Sequence, residues 1–474
     1  MKEEKGTDMV FNKVNPNKNE PKGGIIMKKK WIAAIMTAAM VMTTLAGCGS
    51  STGTATETDS TAAETQETEA ADDSTAAGDV TLSLAFHYPE DFYEENIVPI
   101  VDEFKKLHPE LKEVKFTTLS GANDEQQVTR LTGGQYEDVI LVPSVLLASE
   151  LPNYFAPLGD ATEMASKYYY GDYMQYEGQS YGIPIGIVYE GLLYNKTVLD
   201  TYCDGVVPKT LDELYADLEK CKENGITGIY TNAGSVWTMR YWDNLAITMS
   251  GDDDYANKIL TDQTPWAEGS ALREADDILA DFAKKGYVEA DVVTADQWDS
   301  SLTSIGGGKT AFMFTGTWAL SQAQEHAEEL GLSADSIGFI PFPYKNDVSA
   351  DNKLRMRIAQ DLFMGVNKNS ENLELAKEFC AFFCENMSLA LGMNEIMVDG
   401  GENQPDLAFL QDLDYVETYT SPAKDPKIQE MAGTAEIDVY SFDGYLLDYV
   451  MLPVMNGGEP EYDKLNELWG KNFQ

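Results

Sequence analysis

The chain has 474 residues, 43% of them hydrophobic and 11% aromatic, which is enough apolar material for two domains of the usual ~100–200 residues each. Its formal net charge is −45, from 79 acidic side chains against 34 basic ones. That balance excludes binding to a nucleic-acid backbone, which needs clustered Lys and Arg, and it repels anionic lipid headgroups, so any membrane attachment must have another source.

The N-terminal region supplies one. Residues 1–26 are polar and show no apolar periodicity, and residues 22–27 can be encoded by a purine-rich ribosome-binding sequence, a short spacer and a start codon. Residues 1–26 are therefore expected to be an untranslated or non-native extension, with translation starting at Met27. Met27-Lys28-Lys29-Lys30, the apolar run 31–42 and Leu45-Ala46-Gly47-Cys48 give the order of an export signal over 27–47. The apolar run is too short to persist as a span of a ~30 Å hydrocarbon core. Leu45-Ala46-Gly47-Cys48 resembles the lipobox of bacterial lipoproteins, which implies a lipid on Cys48. Residues 48–78 are almost wholly small or polar, cannot offset their ordering entropy, and are expected to form a disordered acidic linker.

The remainder alternates strand and helix signals. Residues 80–86 have the two-residue period of a strand; Ile97, Val101, Phe104 and Leu107 share a helix face before Pro109; residues 114–118 alternate again. Val128 and Leu131 suggest a second helix, and 138–142 is a continuous apolar strand of the kind buried on both faces. Strand, helix, strand, helix, strand predicts a parallel sheet. The pattern recurs with Thr210 and Glu213 in capping-box positions before the stripe Leu211, Leu214, Leu218 and Cys221, then strand 226–230, helix 272–282, strands 310–314 and 337–340, strand 362–366 and helix 373–383. The stretch from Asp406 is expected to be mostly helical.

Of the five cysteines, Cys380 and Cys384 fall on an apolar helix pattern and are expected to be buried thiols, since zinc spacing is absent. Cys203 and Cys221 could pair, but their spacing does not require it.

Tyr181-Gly182-Ile183-Pro184, Tyr189-Glu190-Gly191-Leu192-Leu193-Tyr194-Asn195-Lys196, Pro208-Lys209-Thr210-Leu211-Asp212-Glu213-Leu214, the stretch from Gly308 to Leu320 and the helix around Ala376-Lys377-Glu378-Phe379 together carry a family resemblance. In order and spacing they resemble the family 1 extracellular solute-binding proteins of bacterial ABC importers, of the carbohydrate, maltose-binding-protein-like type. Leu211 stands where that family usually has Trp, and His87-Tyr88 follows the first strand where a Trp is common. The resemblance implies an α/β, two-lobed, periplasmic-binding-protein-like fold of type II, with the ligand cleft between lobes joined by crossing segments. Lobe one would be 79–184 with 341–397, and lobe two 185–340 with 398–474, the crossings falling near Ile183-Pro184, Phe339-Ile340-Pro341 and 398–403. It further implies a sugar or oligosaccharide ligand, delivery to the permease subunits of an ABC importer, and no cofactor or metal. The protein would be a monomer, lipid-anchored at the extracellular face of a Gram-positive membrane.

A sugar site needs flat aromatic faces and a rim of directed hydrogen-bonding groups. Trp318, at the start of a helix, occupies the place where the family often stacks a sugar ring, with Gly316 beside it leaving room for a ligand. Trp237, Tyr241 and Trp242 cluster after another strand; Tyr88 follows the first strand; Glu190 follows the first crossing; Gln360-Asp361 precedes strand 362–366. Trp266 and Trp298 read as packing, and Tyr168-Tyr169-Tyr170 as a half-buried surface. Gly306-Gly307-Gly308-Lys309-Thr310 lacks the first glycine and the strand-then-helix order of a phosphate loop, so it reads as a turn. Asp252-Asp253-Asp254 lacks a calcium loop's alternation, and no Ser-His-Asp arrangement accompanies a nucleophile elbow. Two other readings stand: a binding protein for a non-sugar solute, and an anchored glycan-degrading enzyme, since 79 acidic residues allow many carboxylate pairs.

Overall fold

The structure, a computed structural model, describes residues 78–88, 90–119, 124–294, 297–390, 396–398, 413–440 and 444–474. The expected export signal, Cys48 and its linker as far as residue 77 lie outside these residues, as do 406–412 and all of the third expected crossing except Val398.

The alternating segment forms the strand Val80–Phe86, with Leu82, Leu84 and Phe86 fully buried. It lies between two parallel neighbours, Leu111–Thr118 and the buried Val139–Leu141. Antiparallel Phe363–Val366 and Ile183–Pro184 complete a five-stranded sheet. The helix Val98–Leu107 buries Val101 and Phe104, whereas Leu107, placed on the same face by its periodicity, is 65% exposed, because the helix ends there and the His108 ring stacks on Phe104 at 4.2 Å. The Phe104 ring packs 5.2 Å from Phe379 of the helix Leu373–Ala390. On that helix Cys380 and Cys384 are buried thiols that donate to the carbonyls of Met364 and Ile183 at 3.8 and 3.7 Å.

A second sheet is built around Ile187–Asn195, which pairs antiparallel with Thr310–Gly316, Ile337–Ile340 and Leu354–Gln360. Thr227–Tyr230 and Val416–Thr420 add parallel edges. A Cβ at Gly191 would meet the Ile340 carbonyl oxygen at 2.3 Å, so only glycine permits this pairing. The helix Leu211–Glu223 begins with the expected capping box: Thr210 Oγ1 accepts from the Glu213 amide at 3.3 Å, and Glu213 Oε2 accepts from the Thr210 amide at 3.1 Å. Helices Arg240–Ser250 and Ala271–Lys285 close a core containing Trp242, Trp266 and Trp469, and Trp266 is packing, as read from sequence.

The chain leaves the first sheet at Pro184 and enters the second at Ile187. The return differs from expectation. After Ile337–Ile340 the strand Leu354–Gln360 still pairs in the second sheet, and the first sheet resumes only at Phe363, so residues 341–360 are not part of the first layer. The reason is packing in the second sheet: Met356 and Ile358 bury their side chains there, and Arg357 finds a buried counter-ion in Glu190. The two crossings lie side by side, with the Ile185 amide donating to the Leu362 carbonyl at 2.8 Å and the Asp361 amide to the Gly186 carbonyl at 3.0 Å.

Tyr168 and Tyr170 are buried, not a half-buried surface, because each hydroxyl has an interior acceptor: Glu385 Oε1 at 2.5 Å for Tyr168 and the Ile358 carbonyl for Tyr170. Among the described residues, no helix is long and apolar enough to cross a membrane.

Candidate ligand-binding site

A cavity of about 290 Å³ opens where the two crossings meet. One wall comes from the loop after Val139–Leu141, through Val142, Ser144 and Leu146, with Tyr173 and Met174. The opposite wall comes from the second sheet and its helices, through Glu190, Arg240, Tyr241, Asn244, Trp318 and Arg357. Gln360, Asp361 and Leu362 of the second crossing form part of its lining. Of the residues expected from sequence, this brings together Trp318, Tyr241, Glu190, Gln360 and Asp361.

Trp318 opens the helix Trp318–Glu329 directly after the strand Thr310–Gly316. Its indole stacks on Trp298 with ring centroids 4.9 Å apart and planes 28° apart, and Nε1 donates to the Tyr241 hydroxyl at 3.0 Å. The indole is held in place by the protein, and its half-buried remainder contributes to the cavity lining. Trp298, read from sequence as packing, is the stone on which Trp318 rests. Gly316 has a different role from the one expected: a Cβ there would meet Trp318 Cδ1 at 2.6 Å, so the glycine makes room for the indole itself, not for a ligand.

Three expected residues stand elsewhere. Trp242 is 1% exposed and packs edge-on against Phe314, Phe342 and Phe282, because the Arg240–Ser250 helix turns this side chain inward. Trp237 packs against Trp298 and Trp318 at 5.4 and 6.0 Å, behind the residues that line the cavity. Tyr88 stacks on Phe92 at 4.2 Å; burial, helped by the nearby Asp361 charge, pushes its hydroxyl up to about 12.

The polar groups divide into those already paired and those left open. Arg357 Nη1 donates to Glu190 Oε1 at 2.8 Å, the Asn244 amide donates to the same oxygen at 2.9 Å, and Arg357 Nε reaches Ser421 Oγ at 3.1 Å. Glu190, expected to serve the ligand, is thus first a partner of the protein. Gln360 Oε1 and Asn244 Oδ1 are buried without a donor among the described residues, which costs free energy unless a donor arrives. Arg240, Arg357, Asn244 and Tyr173 had not been singled out from sequence. Arg240 stands directly between the tryptophan and tyrosine cluster, which was the available signal, whereas Arg357 alternates with Leu354, Met356 and Ile358 and so reads from sequence as a solvated position.

Burial raises the Asp361 carboxyl to about 6, against the lowering pull of Arg240. The carboxyl is therefore neutral below that pH and an anionic acceptor above it. Native ionisation is disfavoured relative to the unfolded chain, so this group's stabilisation is present at low pH and lost between about 4 and 6. Affinity for a hydroxyl-rich ligand should move the opposite way, rising roughly three- to tenfold from pH 5 to pH 7 as a charge-assisted acceptor forms. Calorimetric titrations across that range check this, and Asp361→Asn should flatten the profile. A profile that keeps its slope in the variant would remove Asp361 from the site.

Residues 93–386 match the family described as bacterial extracellular solute-binding protein. An uncharacterised ABC transporter extracellular-binding protein of Pyrococcus horikoshii is 25% identical over 247 residues, which is 46% of this chain and 52% of that protein. A probable sugar-binding periplasmic protein of Brucella suis is 29% identical over 151 residues, 31% of this chain and 34% of that one. The chain thus matches about half the length of the first and a third of the second. Among solved structures, a binding protein of an ABC transporter from Bifidobacterium animalis subsp. lactis in complex with mannobiose superposes with a TM-score of 0.71, 26% identity, and coverage of 84% of this chain and 96% of that one. A manno-oligosaccharide specific solute binding protein from the same organism, in complex with mannotriose, gives a TM-score of 0.71 at 24% identity, covering 85% and 96%. These are two-lobed solute-binding proteins, and the architecture described above is theirs.

Proposed function

The chain belongs to the bacterial extracellular solute-binding proteins, and from that premise we propose that it captures a short oligosaccharide outside the cell and delivers it unchanged to an ABC importer. The observation that carries the reading is the composition of the cavity. Buried acceptors without donors among the described residues, Gln360 Oε1 and Asn244 Oδ1, line one cavity with Asp361 and the half-buried indole of Trp318. A sugar ring answers both needs, since its hydroxyls donate and its carbon face stacks. Manno-oligosaccharides are the first ligands to test, because the Bifidobacterium protein with 26% identity was solved with mannobiose. Calorimetry on the purified protein with mannobiose, mannotriose, other oligosaccharides and amino acids is the test. Saturable binding of an oligosaccharide, recovered intact afterwards, is the expected result; binding only of amino acids, or hydrolysis of the glycan, would overturn the proposal.

We further propose that the protein is a monomer and that a lipid on Cys48 tethers it; the lipid is supported by Leu45-Ala46-Gly47-Cys48 behind a basic and apolar segment. Cys48→Ala should move it from the membrane fraction to the medium. Retention of the variant on membranes after high-salt washing would count against the lipid.

A further inference from the structure

We infer that Cys203 and Cys221 are a latent disulfide, closed when the exported chain meets a disulfide-bearing oxidant. The two thiols lie 3.6 Å apart, sulfur to sulfur, and both side chains are buried. Cys203 caps the helix Lys196–Tyr202, and Cys221 sits in the last turns of Leu211–Glu223, so closure would tie the end of one helix to the flank of the other. The sulfurs are in van der Waals contact, and bonding at about 2 Å requires an approach of little more than 1.5 Å. Neither thiol is used by the ligand site, whose lining residues lie elsewhere.

The location gives the oxidant access. Cys203 is followed by Asp204 and Gly205, both with positive φ, in a turn whose Asp204 side chain is 83% exposed. Fraying of the last turn of a seven-residue helix therefore brings Cys203 to solvent before Cys221, which is anchored inside its own helix. The Cys203 thiolate would attack one sulfur of a small-molecule disulfide, forming a mixed disulfide and expelling one thiolate. The Cys221 thiolate would then attack the Cys203 sulfur, expelling the second thiolate. Two protein thiols are oxidised, one external disulfide is reduced to two thiols, and the two protons leave with them. The extracellular setting of the family is what makes such an oxidant available, so the inference rests on that setting but not on the identity of the ligand.

The other buried pair provides an internal control. Cys380 and Cys384 are one turn apart in the interior of a single helix, fully buried and away from either helix end, so no fraying exposes them and they should remain reduced. The test is to incubate the full chain with oxidised glutathione, unfold it in the presence of a maleimide, and map the peptides. The expected result is a peptide linked through Cys203 and Cys221, with Cys380 and Cys384 both labelled. The oxidised protein should melt about 5 °C higher than the reduced one, a gain reversed by dithiothreitol. Labelling of all four thiols, or glutathione retained on Cys203 with Cys221 still labelled, would overturn the inference. Cys221→Ser should convert the product to that retained mixed disulfide, which separates failure of access from failure of closure.

Discussion

Replacing Arg357 by methionine is expected to lower the unfolding free energy by about 3–5 kcal/mol, because it strands Glu190 as a buried carboxylate without its counter-ion. The side chains of the pair are only 5% and 7% exposed, so solvent cannot take over the role of the missing partner. The Asn244 amide still reaches Glu190, but a neutral donor at 2.9 Å offsets only part of the loss. The double variant Arg357→Met with Glu190→Gln should recover most of the stability, since removing both charges avoids desolvating either. Urea unfolding of the two single variants and the double variant measures this directly. Independent, additive losses would mean that the two groups do not interact in the folded protein.

The second large effect is on affinity. Trp318→Ala should weaken binding of the sugar ~10- to 100-fold, the value of about 1–3 kcal/mol of apolar ring face buried against an indole. A residue that served only the ligand would leave the melting of the free protein unchanged. The structure alters that expectation, because the indole also stacks on Trp298 and donates to Tyr241. Loss of an aromatic pair and a neutral hydrogen bond should cost the free protein roughly 1–2 kcal/mol as well. Trp318→Phe keeps the stacking surface and gives up only the bond to Tyr241, so it should retain most of the affinity. Lost stability with full affinity in Trp318→Ala would assign the residue to packing alone.

Much of the architecture was legible because its periodicities are strong. The strand Val80–Phe86, the capping box at Thr210 and Glu213 and the strand Ile337–Ile340 stand where the residue pattern places them. The central strand Ile187–Asn195 was not read as one, because burial on both faces erases the alternation and the run contains a glutamate and a glycine. Each has a long-range reason: Glu190 answers Arg357, 167 residues away, and Gly191 clears the Ile340 carbonyl. The strand Leu354–Gln360 was hidden for a related reason, since Arg355 and Arg357 look like a solvated face although Arg357 is 4% exposed. In the site, the type of residue was readable and its direction was not. Trp237, Tyr241, Trp242 and Trp318 are all aromatic residues near strand ends, and only the packing of three helices decides which of them turns toward the cavity.

The arrangement of indoles makes the protein its own optical sensor. The chain has seven tryptophans, one of them, Trp31, within the expected export signal. Trp242, Trp266 and Trp469 are sealed in the core, where their emission should be blue-shifted and indifferent to ligand. Trp237, Trp298 and Trp318 lie within 6.0 Å of one another around the cavity wall, close enough for excitation to pass between them. A molecule settling against Trp318 in the cavity would therefore change the yield of three chromophores at once. Intrinsic fluorescence should report occupancy against a constant background, without any label.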